Sequence, residues 1–315
     1  MTARAVFVAD NGRIRAGWRI LIFLALVLLV GRIIGTAIPK NIWASIDGVL
    51  GRDAGASSTL ILTVALLAAH AIMLRWVDRL PWSYAWMDKS AARPGVLVLG
   101  GLLGALPILV PSLLLFGVGW LATTPSAHGS WWLAAAEVTL FLMLAAMPEE
   151  LFSRGYMFAA MRDGLGATTA LLVTSVGFGL LHLFNPGADA RSVTVVALSG
   201  LFLGAIVLAT RSLYAAWMSH WAWNWVMGVP LHSLISGRSL PHPDYQIVDS
   251  GPDWITGGGW GPEGGVGAGL GILMGMGYLY SRFGPAMFGL RRITPIAEPT
   301  ADRRLPTGDT SIDDE

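Results

Sequence analysis

Cysteine is absent from the 315 residues. That absence removes disulfides, thiolate zinc sites and cysteine nucleophiles. Charge is scarce as well. Asp, Glu, Lys and Arg make up 13% of the chain, against roughly 25% in soluble domains. The net charge of +1 gives no electrostatic case for a nucleic-acid partner. No internal repeat and no soluble second domain can be read. What is abundant is apolar: hydrophobic residues reach 54%, with 14 Trp and 39 Gly. Long apolar runs of this kind cross a bilayer as helices, because lipid offers no partner for an unpaired backbone group. The expected fold is an all-α polytopic membrane helix bundle with about eight transmembrane helices.

The eight spans fall near residues 18–38, 58–76, 95–121, 131–161, 168–184, 193–210, 213–230 and 266–280. The first is too long for a signal-peptide core and lacks a clear small-residue cleavage site, so it reads as a retained span. Arg32 within it either pairs inside the bundle or snorkels. A polar loop with Lys40 and Arg52 follows the first span. Residues 78–86, charged and aromatic, read as an interfacial segment, and Pro107 and Pro111 as kinks in the third span. The layout is a short basic lead (1–17), spans one to three (18–129), a core with spans four to eight (130–292), and a polar, disordered tail (293–315). Of the 21 Lys and Arg, 15 fall on the side of the termini, and Lys40, Arg52, Arg191 and Arg238 on the other. Positive charge gathers on the cytoplasmic side. The bias therefore predicts a multi-pass protein of the cell membrane (plasma or inner) with both termini cytoplasmic.

Against that background Pro148-Glu149-Glu150-Leu151-Phe152-Ser153-Arg154 stands out. Ionisable groups deep in a span are costly and are functional candidates by default. Two later spans carry polar residues at the i, i+4 spacing of one helix face: His182 four after Phe178, and Asn224 four after His220. Counted from the inner boundary at about 1.5 Å per residue, Glu149 and Asn224 lie roughly 20 Å in, His182 roughly 21 Å and His220 roughly 13 Å. These groups can meet in one layer. A buried glutamate beside a histidine can deprotonate a water, and a second histidine and an amide can donate to a developing oxyanion. Glu150 and Arg154 fit an i, i+4 ion pair. Glu149, His182 and His220 would equally suit zinc, since two histidines and a carboxylate form a common sphere. Both routes stay open: the only cofactor the residues suggest is a divalent metal such as zinc, and hydrolysis can proceed with or without it.

These residues, in this order, resemble the motifs of the CPBP (Abi) family of intramembrane proteases, which includes the eukaryotic Ras-converting type II CAAX prenyl endopeptidases. E-E-x-x-x-R is Glu149 to Arg154, followed by Gly155. F-x-x-x-H is Phe178 to His182, and H-x-x-x-N is His220 to Asn224. The resemblance covers residues 130–230. It implies that Glu149 and His182 activate water, that His220 and Asn224 stabilise the tetrahedral intermediate, and that Glu150 and Arg154 support the helix. The substrate it implies is a peptide or a lipidated protein in the membrane. It fixes neither the identity of that substrate nor a requirement for metal. Some bacterial members are linked to bacteriocin self-immunity or surface-protein processing.

Plainer readings stand beside these. Phe178 reads as packing, and Trp217, Trp221, Trp223 and Trp225 as helix-packing or belt residues. His70 reads as an interhelical hydrogen bond, Gly200 with Gly204 as a close helix contact, and Glu263 as a loop-turn residue, with a gate role as the alternative. His128, His232 and His242 are loop residues without ligand spacing, and Glu137 sits near the outer interface. A non-catalytic immunity or scaffold protein of the same fold is the second functional reading. A proton or ion conduit is the third, disfavoured because the outer halves of the fifth and seventh spans offer few polar residues. Oligomeric state is not legible.

Overall fold

A computed structural model describes residues 6–9, 12–50, 55–125, 130–240 and 245–284. The tail expected over 293–315, together with Arg52, His128 and His242, lies outside the described residues. The helices are α1 (Ala16–Ala37), α2 (Lys40–Leu50), α3 (Ala56–Ile72), α4 (Pro94–Gly117), α5 (Trp131–Arg154), α6 (Tyr156–Leu165), α7 (Ala167–Leu181), α8 (Ala190–Thr210), α9 (Leu213–Gly228), α10 (Asp253–Thr256) and α11 (Val266–Phe283). The chain is an all-α polytopic bundle. Among the described residues, six stretches are long and apolar enough to cross a membrane: Ala16–Ala37, Ala56–Val77, Pro94–Gly117, Trp131–Leu165, Ala167–Phe184 and Ala190–Thr210. The 16-residue α9 and the 18-residue α11 complete the bundle. Leu28, Leu102, Leu114, Leu133 and Leu140 are among many large apolar side chains facing outward. Exposed apolar surface on this scale needs a lipid solvent. Arg32 is exposed on α1, the snorkelling alternative of the two expected.

The centre of the bundle is α9, which packs on α4, α5 and α8. Trp223, Val226 and Met227 of α9 share a core with Leu103, Leu142, Phe202 and Ile206. Gly100 and Gly104 of α4 approach the backbone at Ala215 and Ser219 of α9 so closely that a Cβ at either glycine would overlap it. Three indole N–H groups on one face of α9 donate to α5: Trp217 to the Met143 carbonyl at 2.9 Å, Trp221 to the Thr139 carbonyl at 3.3 Å, and Trp225 to Thr139 Oγ1 at 2.9 Å. These tryptophans are packing residues with their polar edge satisfied. Gly200 meets Ser175, and Gly204 meets Leu171, across the α7–α8 contact expected of the G-x-x-x-G pair.

Three departures from the sequence reading matter. The expected loop after α1 begins as a helix, α2, over Lys40–Leu50. The expected fourth span is two helices, breaking at Gly155, where ψ is −131°. The amide of Tyr156 turns out of the helix and donates to His70 Nε2 at 2.8 Å, while His70 Nδ1 donates to the Leu66 carbonyl at 2.7 Å. His70 thus makes the expected interhelical bond, and that bond stabilises the break. Lastly, β1 (Leu121–Pro125) and β2 (Tyr245–Asp249), both read as loop, pair antiparallel.

The segment ends assigned to one side gather on that side. Arg19 is 2% exposed. It bonds Asp78 at 2.6 Å and the Tyr156 hydroxyl at 3.0 Å. Tyr84, in the 3-10 turn Trp82–Ala85, accepts from Arg19 at 2.8 Å and donates to Asp163 at 2.7 Å. Burial pushes the Tyr84 hydroxyl up to about 12, so it stays a neutral donor at physiological pH. The Ser212 hydroxyl donates to the Ala91 carbonyl at 2.6 Å on the same side.

Candidate active site

The Glu-Glu pair ends α5, on the turn containing the internal Pro148. The two carboxylates are treated differently by the fold. Glu150 is wholly buried, whereas the Glu149 side chain is 41% exposed. Successive helix positions diverge by about 100°, so neighbours in sequence face different surroundings.

Glu150 Oε1 is a hub. It accepts from Arg154 Nη1 at 3.0 Å, one turn on, and from His220 Nδ1 of α9 at 2.9 Å. The Arg154 guanidinium is also held by the Gly200 carbonyl of α8 at 2.9 Å and by the face of the Phe178 ring, 4.4 Å from its centroid. The same ring stacks obliquely on His182 and stands edge-on to His220. Phe178 therefore packs between the Arg154 guanidinium and the His182 and His220 rings.

His182 caps the end of α7. Its Nδ1 lies 2.8 Å from the Phe178 carbonyl. A carbonyl oxygen only accepts, so this nitrogen carries a proton, and in the neutral ring Nε2 presents the lone pair. The carboxylate at His220 Nδ1 fixes the same arrangement there. Both Nε2 atoms face Glu149 Oε2, His182 at 4.0 Å and His220 at 3.9 Å. Glu149 Oε2 has no hydrogen-bond partner. These gaps are too long for direct bonds and of the size that one water fills, bonding each side at roughly 2.8 Å. The donors do not form a metal sphere. Among the described residues, no group of three or more His, Cys, Asp or Glu side chains is arranged to hold an ion.

The site opens onto a chamber of about 820 Å³. Its walls come from α1 (Leu24, Leu28), α3 (Thr59, Leu62), α5 (Phe141, Phe152) and the loop after α9 (Ile235, Leu240). Glu149, His182, His220 and Asn224 all line it, so the four residues expected to act together do share one space. Glu150 and Arg154 stand behind it. The chamber is apolar and reaches α1, an element outside the motif-bearing core. Glu263 does lie in a turn of the long loop, but that turn is folded in: Glu263 is 7% exposed and hydrogen-bonded to α9.

Fold and site together define a multi-pass membrane protein with a glutamate–histidine centre set inside its helix bundle. Residues 129–226 match the family model of type II CAAX prenyl endopeptidase Rce1-like proteins. That family is a protease family, and the matched segment contains all three motifs, so the resemblance read from them is borne out there. No curated protein and no solved structure matches the chain.

Proposed function

We propose that the chain is an intramembrane endopeptidase that hydrolyses peptide bonds of membrane-associated or lipidated substrates with a water activated by Glu149. The observation carrying this reading is the convergence of Glu149 Oε2 on two imidazole lone pairs, with no protein partner of its own. A water held there donates to Glu149, and a histidine Nε2 orients its second hydrogen. As the water oxygen attacks the scissile carbonyl carbon, Glu149 takes its proton. The carboxylic acid then delivers that proton to the leaving amine as the C–N bond breaks. The Asn224 amide offers an N–H to the developing oxyanion. His220 Nε2 accepts in the tautomer fixed by Glu150 and donates once the ring is doubly protonated. No metal enters these steps.

The apolar chamber supports a substrate that arrives from the bilayer, by hydrophobic partitioning of a lipid chain or a membrane-embedded segment. The Lys and Arg bias supports placement in the cell membrane with both termini cytoplasmic. The test is cleavage of membrane-anchored peptides by the purified protein in vesicles, with Glu149→Gln beside it. Cleavage by the wild type alone is expected. Equal cleavage by the variant, or none by a folded wild type, removes this reading.

A further inference from the structure

Glu263 plays no part in the chemistry above, and it lies beyond the segment that matches the protease family. It belongs to the 3-10 turn Pro262–Gly264, which packs on α4, α8 and α11. Both of its oxygens are engaged. Oε2 accepts from Trp223 Nε1 of α9 at 3.1 Å. Oε1 accepts from the Ser236 amide at 2.5 Å and the Ser236 hydroxyl at 2.7 Å. One carboxylate thus ties two separate elements together. A second tie runs alongside, from the Gly237 amide to the carbonyl of buried Trp260 at 2.9 Å.

Both tied elements belong to the site. Trp223 directly precedes Asn224 and follows His220 by three positions, one turn of α9. Ser236 lines the large chamber together with His182 and Asn224. Glu263 itself shares a small cavity of about 40 Å³ with His220, Asn224 and Ser236. All three groups facing the carboxylate are donors, and an ionised carboxylate offers acceptors only. An amide at this position would turn an N–H against either the indole or the Ser236 groups.

We propose that Glu263 is a positioning residue: it locks the outer loop onto α9 and so sets where Asn224 stands relative to the Glu149 water. The activity consequence rests on the proposed function, because Asn224 matters to rate only if it meets an oxyanion. The lock itself does not rest on it.

The experiment compares wild type, Glu263→Gln, Trp223→Phe and the double variant, purified in detergent, with the membrane-anchored peptide as substrate. Glu263→Gln opposes donor to donor and is expected to lower kcat about 10–100-fold, with KM within twofold. This is a milder form of removing an oxyanion donor. Trp223→Phe removes the opposing N–H, so the double variant is expected to be more active than Glu263→Gln alone. Hydrogen exchange at the Ser236 amide is expected to accelerate in Glu263→Gln. A kcat within twofold of wild type, a loss confined to KM, or additive effects in the double variant would overturn the positioning role. If a folded wild type cleaves nothing, the protease reading falls. The lock is then decided by exchange at Ser236 and by non-additivity of the two substitutions in thermal unfolding. Unchanged exchange with additive unfolding overturns it.

Discussion

Glu150→Leu separates what the buried carboxylate does for the bundle from what it does for His220. The substitution leaves the Arg154 guanidinium fully buried without the carboxylate now 3.0 Å away. The Gly200 carbonyl and the Phe178 face remain. Breaking a buried pair by removing one partner costs about 3–5 kcal/mol. At roughly 2–4 °C per kcal/mol the Tm should fall by roughly 6–20 °C. Adding Arg154→Met removes the orphaned charge. Apolar replacement of a whole buried pair is often near neutral. The residual cost is the unpaired Gly200 carbonyl and the unpaired His220 Nδ1, about 1–2 kcal/mol each, so part of the Tm should return. Activity should not return with it. His220 Nδ1 still lacks its acceptor, and loss of a partner that orients an imidazole typically costs about 10–100-fold. The assay is thermal unfolding in detergent beside peptide cleavage for wild type, single and double variants. A double variant no more stable than the single, or one with full activity, would refute the division of roles.

Two further outcomes test the frame around the site. Gly104→Ala puts a Cβ into the Ser219 backbone of α9 and should cost about 1–3 kcal/mol. Gly101→Ala, which meets open space, should be neutral or slightly stabilising, and thermal unfolding distinguishes the two. Asp189 caps α8 by accepting from the Ser192 amide at 2.6 Å, and that bond holds its carboxyl below the usual range. Because the folded value is depressed, the contribution is present above the unfolded value of about 3.9 and is lost as pH falls through the folded one. Asp189→Ala should therefore lower stability by about 1 kcal/mol at neutral pH. The difference should vanish in strong acid, read as unfolding midpoints across a pH series.

The site was legible where its signals are local. Glu149-Glu150 with Arg154, Phe178 with His182, and His220 with Asn224 each lie within one or two turns of a single helix. A span of known pitch converts such spacing into a shared face and depth. What stayed hidden depends on pairings across the chain. The second partner of Glu150 is His220, seventy positions on. The break at Gly155 is held by His70 from α3. The β1–β2 pair joins Leu121–Pro125 to Tyr245–Asp249, strands too short and too far apart to show an alternation of their own. Glu263 looked like a turn residue because Gly261-Pro262-Glu263-Gly264 is turn-like in composition. A carboxylate amid glycines and next to a proline was the one available hint. Its burial could be known only once the loop was seen folded back on α9.

The most direct test of the central claim is the cleavage rate of a membrane-anchored peptide by Glu149→Gln, relative to wild type, at equal folded fraction. Glutamine keeps the shape of the side chain and removes the base. A positioned general base contributes about 10²–10⁴-fold. A loss of that size in kcat, with unchanged unfolding, is what the account predicts. Retention of wild-type rate by a properly folded Glu149→Gln protein would contradict it.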